Sequence, residues 1–205
     1  MLVNVGYKKL MKRYGLWFVM CIWILAPYLL IQKIEARPIW WVSESKLDQL
    51  IQVNTLAVYP YFSFYVFVLL AISCVVDKAY IQFVKATALC ALVSHLVFMF
   101  FPTGVSRTDV SVEYAPWLYQ WLVSWDAPRN VLPSFHASIS VLSACMLGRG
   151  KKCALLRVGA WIWVVVIFWS ALAIRQHHVL DLLSGALLGF VCWLMPSYLK
   201  VKNRF

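Results

Sequence analysis

The stretch ALLRVGAWIWVVVIFWSALAIRQHHVLDLLSGALLGFVCWLMPSYL, residues 154–199, decides the fold. It holds two apolar runs, 154–173 and 179–199, each close to the roughly 20 residues a helix needs to cross a bilayer's hydrocarbon. Between them lies the tight turn Ile174-Arg175-Gln176-His177-His178, and Asp181 follows at the start of the second run. Two spanning helices joined so tightly run antiparallel. The polar residues of the turn therefore gather at one membrane surface.

Four further runs precede this pair, at 15–32, 56–76, 81–101 and 136–148. The fourth is short, and Ser134, His136, Ser138, Ser140 and Ser143 crowd its start. Such a helix is costly against lipid, so it should face protein or a water-filled pocket. The first run follows Lys8, Lys9, Lys12 and Arg13, but it outlasts a signal-peptide core, contains Pro27 and lacks an A-x-A cleavage site; it reads as a retained first helix. The expected fold is all-α: a six-transmembrane-helix bundle forming a single domain over residues 1–205, with short interfacial helices on the non-cytoplasmic side. Composition agrees, since 63% of residues are apolar and only 13% charged, where a soluble domain runs near a quarter. The mean hydropathy of +0.76 excludes a disordered tail and an ordinary water-soluble enzyme.

The net charge of +11 is distributed as topology signals. Basic residues cluster at the N-terminus, at Lys78 and Lys85, at Arg149, Lys151, Lys152 and Arg157, and at Lys200, Lys202 and Arg204. These clusters alternate with the mixed-charge segments 33–54 and 102–135 and the turn 174–178. Both termini are therefore expected in the cytoplasm. No face tracks phosphates as a nucleic-acid surface does, so no nucleic-acid partner is expected. The short loops point to a bacterial inner membrane, with the segments 33–54, 102–135 and 174–178 periplasmic (or lumenal in a eukaryotic membrane).

Those non-cytoplasmic segments are aromatic. Trp117, Trp121 and Trp125 recur every four residues beside Leu118 and Leu122, the spacing of an interfacial amphipathic helix. Trp40 and Trp41, followed by Ser43-Glu44-Ser45-Lys46 and by Leu47, Leu50 and Ile51, suggest a second. Both can anchor the protein at the membrane, or form a ledge that admits a lipid sideways. The six cysteines (Cys21, Cys74, Cys90, Cys145, Cys153 and Cys192) show no metal or redox spacing and read as small packing residues.

Of four histidines, His95 lies in the third run among apolar neighbours and reads as a packed core residue without an evident partner. His136, His177 and His178 fall at the same surface, together with Asp181, Arg175, Arg107 and Ser134. His177 and Asp181 are four apart at a helix start, so they share a face. An aspartate on one imidazole nitrogen fixes the tautomer and leaves the other basic. Spacing leaves His178 open for the same role, and an acidic first-turn residue also suits a helix dipole. Leu132-Pro133-Ser134-Phe135-His136 can open the fourth helix with free backbone N–H groups, which bind anions. Arg107, in Phe101-Pro102-Thr103-Gly104-Val105-Ser106-Arg107, and Arg175 supply cations suited to phosphate oxygens. Two histidines, a carboxylate and two arginines describe phosphoryl transfer. There is no P-loop and no acidic cluster for magnesium, so no metal or cofactor is expected.

These residues resemble the signatures of the type 2 phosphatidic acid phosphatase (PAP2) superfamily of membrane phosphatases. Pro133-Ser134-Phe135-His136 is similar to its second signature, and His177 with Asp181, followed by Ser184-Gly185, to its third; Asp126, Asn130 and Leu132 resemble a lead-in found in part of the family. The first signature, a Lys and an Arg-Pro at fixed spacing, is absent: Phe100 stands seven before Arg107 and Thr108 follows it. Phe135 replaces a usual Gly, and Ser170-Ala171 stands where Ser-Arg is usual. Pro102-Thr103…Arg107 and Arg175-Gln176-His177 resemble instead the branch of inositol phosphorylceramide synthase-like proteins.

The resemblance implies a lipid phosphate or diphosphate phosphatase with a phosphohistidine intermediate. His177 would be the nucleophile, Asp181 would orient it, and His136 would be the general acid and base. Arg107, Arg175 and Ser134 would bind phosphate. Polyprenyl diphosphate, phosphatidic acid, phosphatidylglycerophosphate and a lipid A-like glycolipid are the substrate classes implied. The altered first signature keeps a lipid phosphotransferase open. A transporter or assembly subunit would instead spread its polar residues along a path through the bilayer; here they crowd one end.

Overall fold

A computed structural model of the chain describes residues 6–34, 38–107, 110–149 and 154–202, with side chains as far as 195. Thr108, Lys151, Lys152, Cys153 and Arg204 lie outside the described residues, as do the side chains of Lys200 and Lys202. The chain is mostly helical. Its elements are α1 (Tyr7–Gln32), β1 (Trp40–Trp41), α2 (Lys46–Leu50), α3 (Val58–Ser73, entered through a 3-10 turn at Thr55–Ala57), α4 (Asp77–Phe100), β2 (Thr103–Gly104), α5 (Trp117–Trp125), α6 (Phe135–Gly148), α7 (Ala154–Ala173) and α8 (Val179–Lys202). Each of the six expected apolar runs is a helix. Four of them, α1, α3 with its 3-10 lead, α4 and α7, are long and apolar enough to cross a membrane, and α6 and residues Val179–Met195 of α8 are shorter apolar helices.

The short helix α6 is the axis of the bundle. It packs against α3, α4, α7 and α8, and Ala137 through Ala144 are all buried. A helix enclosed on every side need not match the bilayer's thickness or hide its serines from lipid. Ser138 donates to Gly185 O at 2.8 Å, and Ser143 to Ile139 O at 2.8 Å. The approach of α8 to α6 requires glycine at two positions. A Cβ on Gly185 would sit 2.3 Å from Ser134 O, and one on Gly189 would sit 2.5 Å from Ser138 O.

One end of the bundle is fastened by Arg13, which is buried. Its guanidinium donates to Ile72 O and Val75 O, both at 2.9 Å, and to Asp77 Oδ1 at 2.6 Å. It thereby satisfies carbonyls at the open C-terminus of α3 while pairing with the first acidic residue of α4. Lys9 also pairs with Asp77, and Arg149 bonds Gln82 and lies over the Trp193 ring.

Two expectations are corrected. Trp40 and Trp41 do not belong to an interfacial helix. They form a two-residue strand paired in parallel with Thr103–Gly104, and only Lys46–Leu50 is helical, because the Ser45–Asp48 capping box starts the helix there. His95 has a partner: its Nε2 lies 3.0 Å from Ile24 O, the backbone of a neighbouring helix that sequence cannot place. The tryptophan helix α5 forms as expected. Trp117, Trp121 and Trp125 face outward, while Tyr119 and Leu122 are buried.

Candidate active site

At the end opposite Arg13 and Asp77, the start of α6, the α7–α8 turn and the loop after α4 meet. Ser134 is the N-cap of α6, its hydroxyl accepting from Ala137 N at 3.3 Å. Its own N–H donates to Asp181 O at 3.1 Å, tying the first turn of α6 to that of α8. Across this junction runs a chain of short contacts. Ser134 Oγ lies 3.1 Å from His177 Nε2, and His177 Nδ1 lies 2.7 Å from Asp181 Oδ2. The second carboxylate oxygen of Asp181 accepts from His178 N at 2.9 Å. All four residues are buried, Asp181 completely.

The geometry separates the two adjacent histidines. The ring of His177 carries the carboxylate, whereas His178 offers Asp181 only its backbone. Both ring nitrogens of His178 are buried and have no hydrogen-bond partner among the described residues.

His136 stands one residue into α6, its ring centroid 6.0 Å from that of His177. Its Nδ1 meets the hydroxyl of Tyr61 at 3.1 Å, and Phe64 and Tyr65 set their ring planes steeply to its imidazole.

Arg107 reaches the same junction. It donates to Asp126 O at 2.7 Å and to Gln176 Oε1 at 2.5 Å, while Asp126 Oδ2 lies 3.5 Å away. Asp126 is itself held by Tyr28 OH at 2.7 Å and Gln32 Nε2 at 3.0 Å, so α1 contributes to the placement of this cation. The Nε of Arg107 and the Nε2 of Gln176 are buried donors without a partner among the described residues, which suits a region that can receive an anion. Arg175 has a left-handed backbone (φ 55°), and its guanidinium donates to Asp48 O at 3.2 Å. The residues Ser134, His136, His177, Asp181 and Arg107 thus converge, while this bond of Arg175 runs to α2.

The segment around α2 braces the turn. Asp48 Oδ1 accepts from Val179 N, the first residue of α8, at 2.8 Å, and Asp48 Oδ2 accepts from Ser45 N and Ser45 Oγ. Asn54 N donates to Ala173 O at 2.9 Å. Burial alone would raise the Asp48 carboxyl, but the Ser45 and Val179 donors outweigh it and hold it below the usual carboxylate range. Sequence reasoning missed Asp48, Tyr61 and Gln176. For Asp48 the Ser45-x-x-Asp48 spacing was a signal; Tyr61 is an ordinary aromatic within an apolar run.

No family model and no curated protein matches the chain. Among solved structures, the crystal structure of Aquifex aeolicus LpxE superposes with a TM-score of 0.50 at 16% sequence identity, covering 95% of this chain and 98% of that chain. The two share a fold. At this identity the likeness extends to the course of the backbone over nearly the whole of both chains, and the site must be argued from its own residues.

Proposed function

We propose that the chain is a membrane lipid phosphate phosphatase working through a phosphohistidine on His177. The observation that carries this reading is the Ser134–His177–Asp181 chain with a second histidine ring 6.0 Å away. Asp181 occupies Nδ1, so Nε2 is the nitrogen with a lone pair to offer. In the resting arrangement Ser134 donates to that lone pair; a phosphorus centre entering the site would replace the serine proton. The carboxylate supports the positive charge that imidazole gains as the N–P bond forms.

His136 protonates the oxygen that leaves with the lipid and then takes a proton from the incoming water. Arg107 and the positive end of the α6 dipole offset charge on the non-bridging oxygens. Arg175 acts with them, through the turn it shares with His177. The resemblance of the signatures supports this reading, and so does the fold shared with Aquifex aeolicus LpxE. Lys8, Lys9, Lys12, Arg13, Lys78, Lys85, Arg149 and Arg157 lie toward the other end of the bundle, which favours six spans with the site on the non-cytoplasmic side.

The test is turnover of a lipid phosphate panel by purified protein in detergent with EDTA. Release of inorganic phosphate that is lost in His177→Ala is expected. A labelled lipid product in place of free phosphate would redirect the reading to transfer, and strict metal dependence would contradict it.

A further inference from the structure

The two histidines of the site are oriented by different chemistry, and only one of the orienting groups is foreshadowed by any signature. His177 has a carboxylate on Nδ1. His136 has a phenol there, from Tyr61, at 3.1 Å. Tyr61 lies in the first turn of α3 and is 2% exposed. Its ring also stacks on the imidazole, centroids 4.6 Å apart and tilted by 37°, while Phe64 stands edge-on at 4.8 Å. The ring of His136 is therefore fixed in plane by aromatic contact and about its axis by one hydrogen bond.

Resting on the phosphatase reading above, we infer that Tyr61 is the positioning residue of His136, the counterpart of Asp181 for His177. The chemistry required of His136 explains why the partner is a phenol. In the first half-reaction His177 Nε2 forms the N–P bond and the P–O bond to the lipid breaks. The Nε2 proton of an imidazolium His136 passes to the leaving oxygen. In the second half-reaction water oxygen forms a P–O bond and the N–P bond breaks, returning its electron pair to His177. The water proton passes to His136 Nε2. His136 thus alternates between charged and neutral forms within each turnover. A carboxylate can only accept and favours the charged form. In this cycle Nδ1 keeps its proton and donates it to the phenol oxygen in both forms, so the neutral hydroxyl keeps Nε2 aimed throughout without locking the ring in its charged state.

Tyr61→Phe keeps the stacked ring and removes only the hydroxyl. With a lipid phosphate, kcat should fall about 10- to 100-fold, by analogy with the loss of a hydrogen-bonding partner behind a metal-bound histidine. KM and the thermal midpoint should hold, and the limb of the pH–rate profile set by His136 should move. The deficit should shrink with p-nitrophenyl phosphate, whose leaving group needs no proton. A wild-type kcat and pH profile, or an equal deficit on both substrates, would overturn the inference. If Tyr61→Phe is unstable, 3,5-difluorotyrosine placed at 61 keeps the hydroxyl but makes it more acidic. The pH limb should then shift, and an unmoved limb would overturn the inference. Wild type and His136→Ala are run alongside. Inactivity of the wild type on every phosphate ester, or full activity of His136→Ala, would fell the phosphatase reading and this inference with it. A wild-type-like Tyr61→Phe beside an impaired His136→Ala fells the inference alone.

Discussion

His177 and His136 sit with their ring centroids 6.0 Å apart in contrasting company. His177 is set in a polar junction of helix ends, with a buried carboxylate on one nitrogen and a serine hydroxyl on the other. His136 is boxed by Tyr61, Phe64 and Tyr65 along one helix, with a phenol as its polar partner. The first surrounding can hold a lasting positive charge, such as a phosphorylated imidazole bears. The second would hold a ring in place while its charge comes and goes. On the proposed function, one residue type in two surroundings would take two roles, nucleophile and proton carrier.

The contrast can be broken most sharply at His177. His177→Ala is expected to abolish lipid phosphate turnover, while His178→Ala, which removes a ring that Asp181 does not hold, retains it; phosphate release assays on folded, detergent-purified variants decide. His136→Ala is the next largest effect. Loss of a general acid and base costs roughly 10²- to 10⁴-fold, and this loss should be partly relieved on p-nitrophenyl phosphate, whereas His177→Ala should be dead on both esters. Equal relief for the two variants would erase the distinction between them.

A smaller effect is expected from Gly185→Ala. The added Cβ would meet the backbone O of Ser134, the residue that caps α6 and whose Oγ bonds His177. Overpacking of this kind costs about 1–3 kcal/mol, read as a lowered unfolding midpoint, with turnover reduced because α6 and α8 are driven apart. Smallest is Asp48→Asn, which weakens a cap on α8; loss of a cap costs about 1 kcal/mol. The sign with pH follows from the carboxyl's lowered position. The ionised form is favoured in the folded state, so Asp48 stabilises above the ordinary carboxylate range and that contribution fades as pH falls toward the folded-state value. Wild type and Asp48→Asn should differ in thermal midpoint near neutral pH and converge in acid.

The helices were legible because burial in lipid leaves long apolar runs, and all six runs expected from sequence are helices. The pair His177 and Asp181 was legible from its spacing of four, although His177 lies ahead of α8 (Val179–Lys202), so the turn rather than a shared helical face brings its ring to the carboxylate. Its neighbour His178 could not be set aside by spacing; only the backbone of the 174–178 turn decides which ring meets the carboxylate. Trp40 and Trp41 misled because their pairing partner, Thr103–Gly104, lies some 60 residues away, and a non-local ladder leaves no local period. Tyr61 was invisible for a related reason. Its meaning depends on α6 lying against α3, and an aromatic in an apolar run carries no mark of what its hydroxyl touches.

Trapping the covalent intermediate tests the central proposal most directly. Wild-type protein mixed with a ³²P-labelled lipid phosphate and quenched within one turnover should carry acid-labile, alkali-stable label that maps to the peptide containing His177. The label should persist in His178→Ala and be absent from His177→Ala. Label on another residue, or its absence from an enzyme that turns over the same lipid, would contradict it.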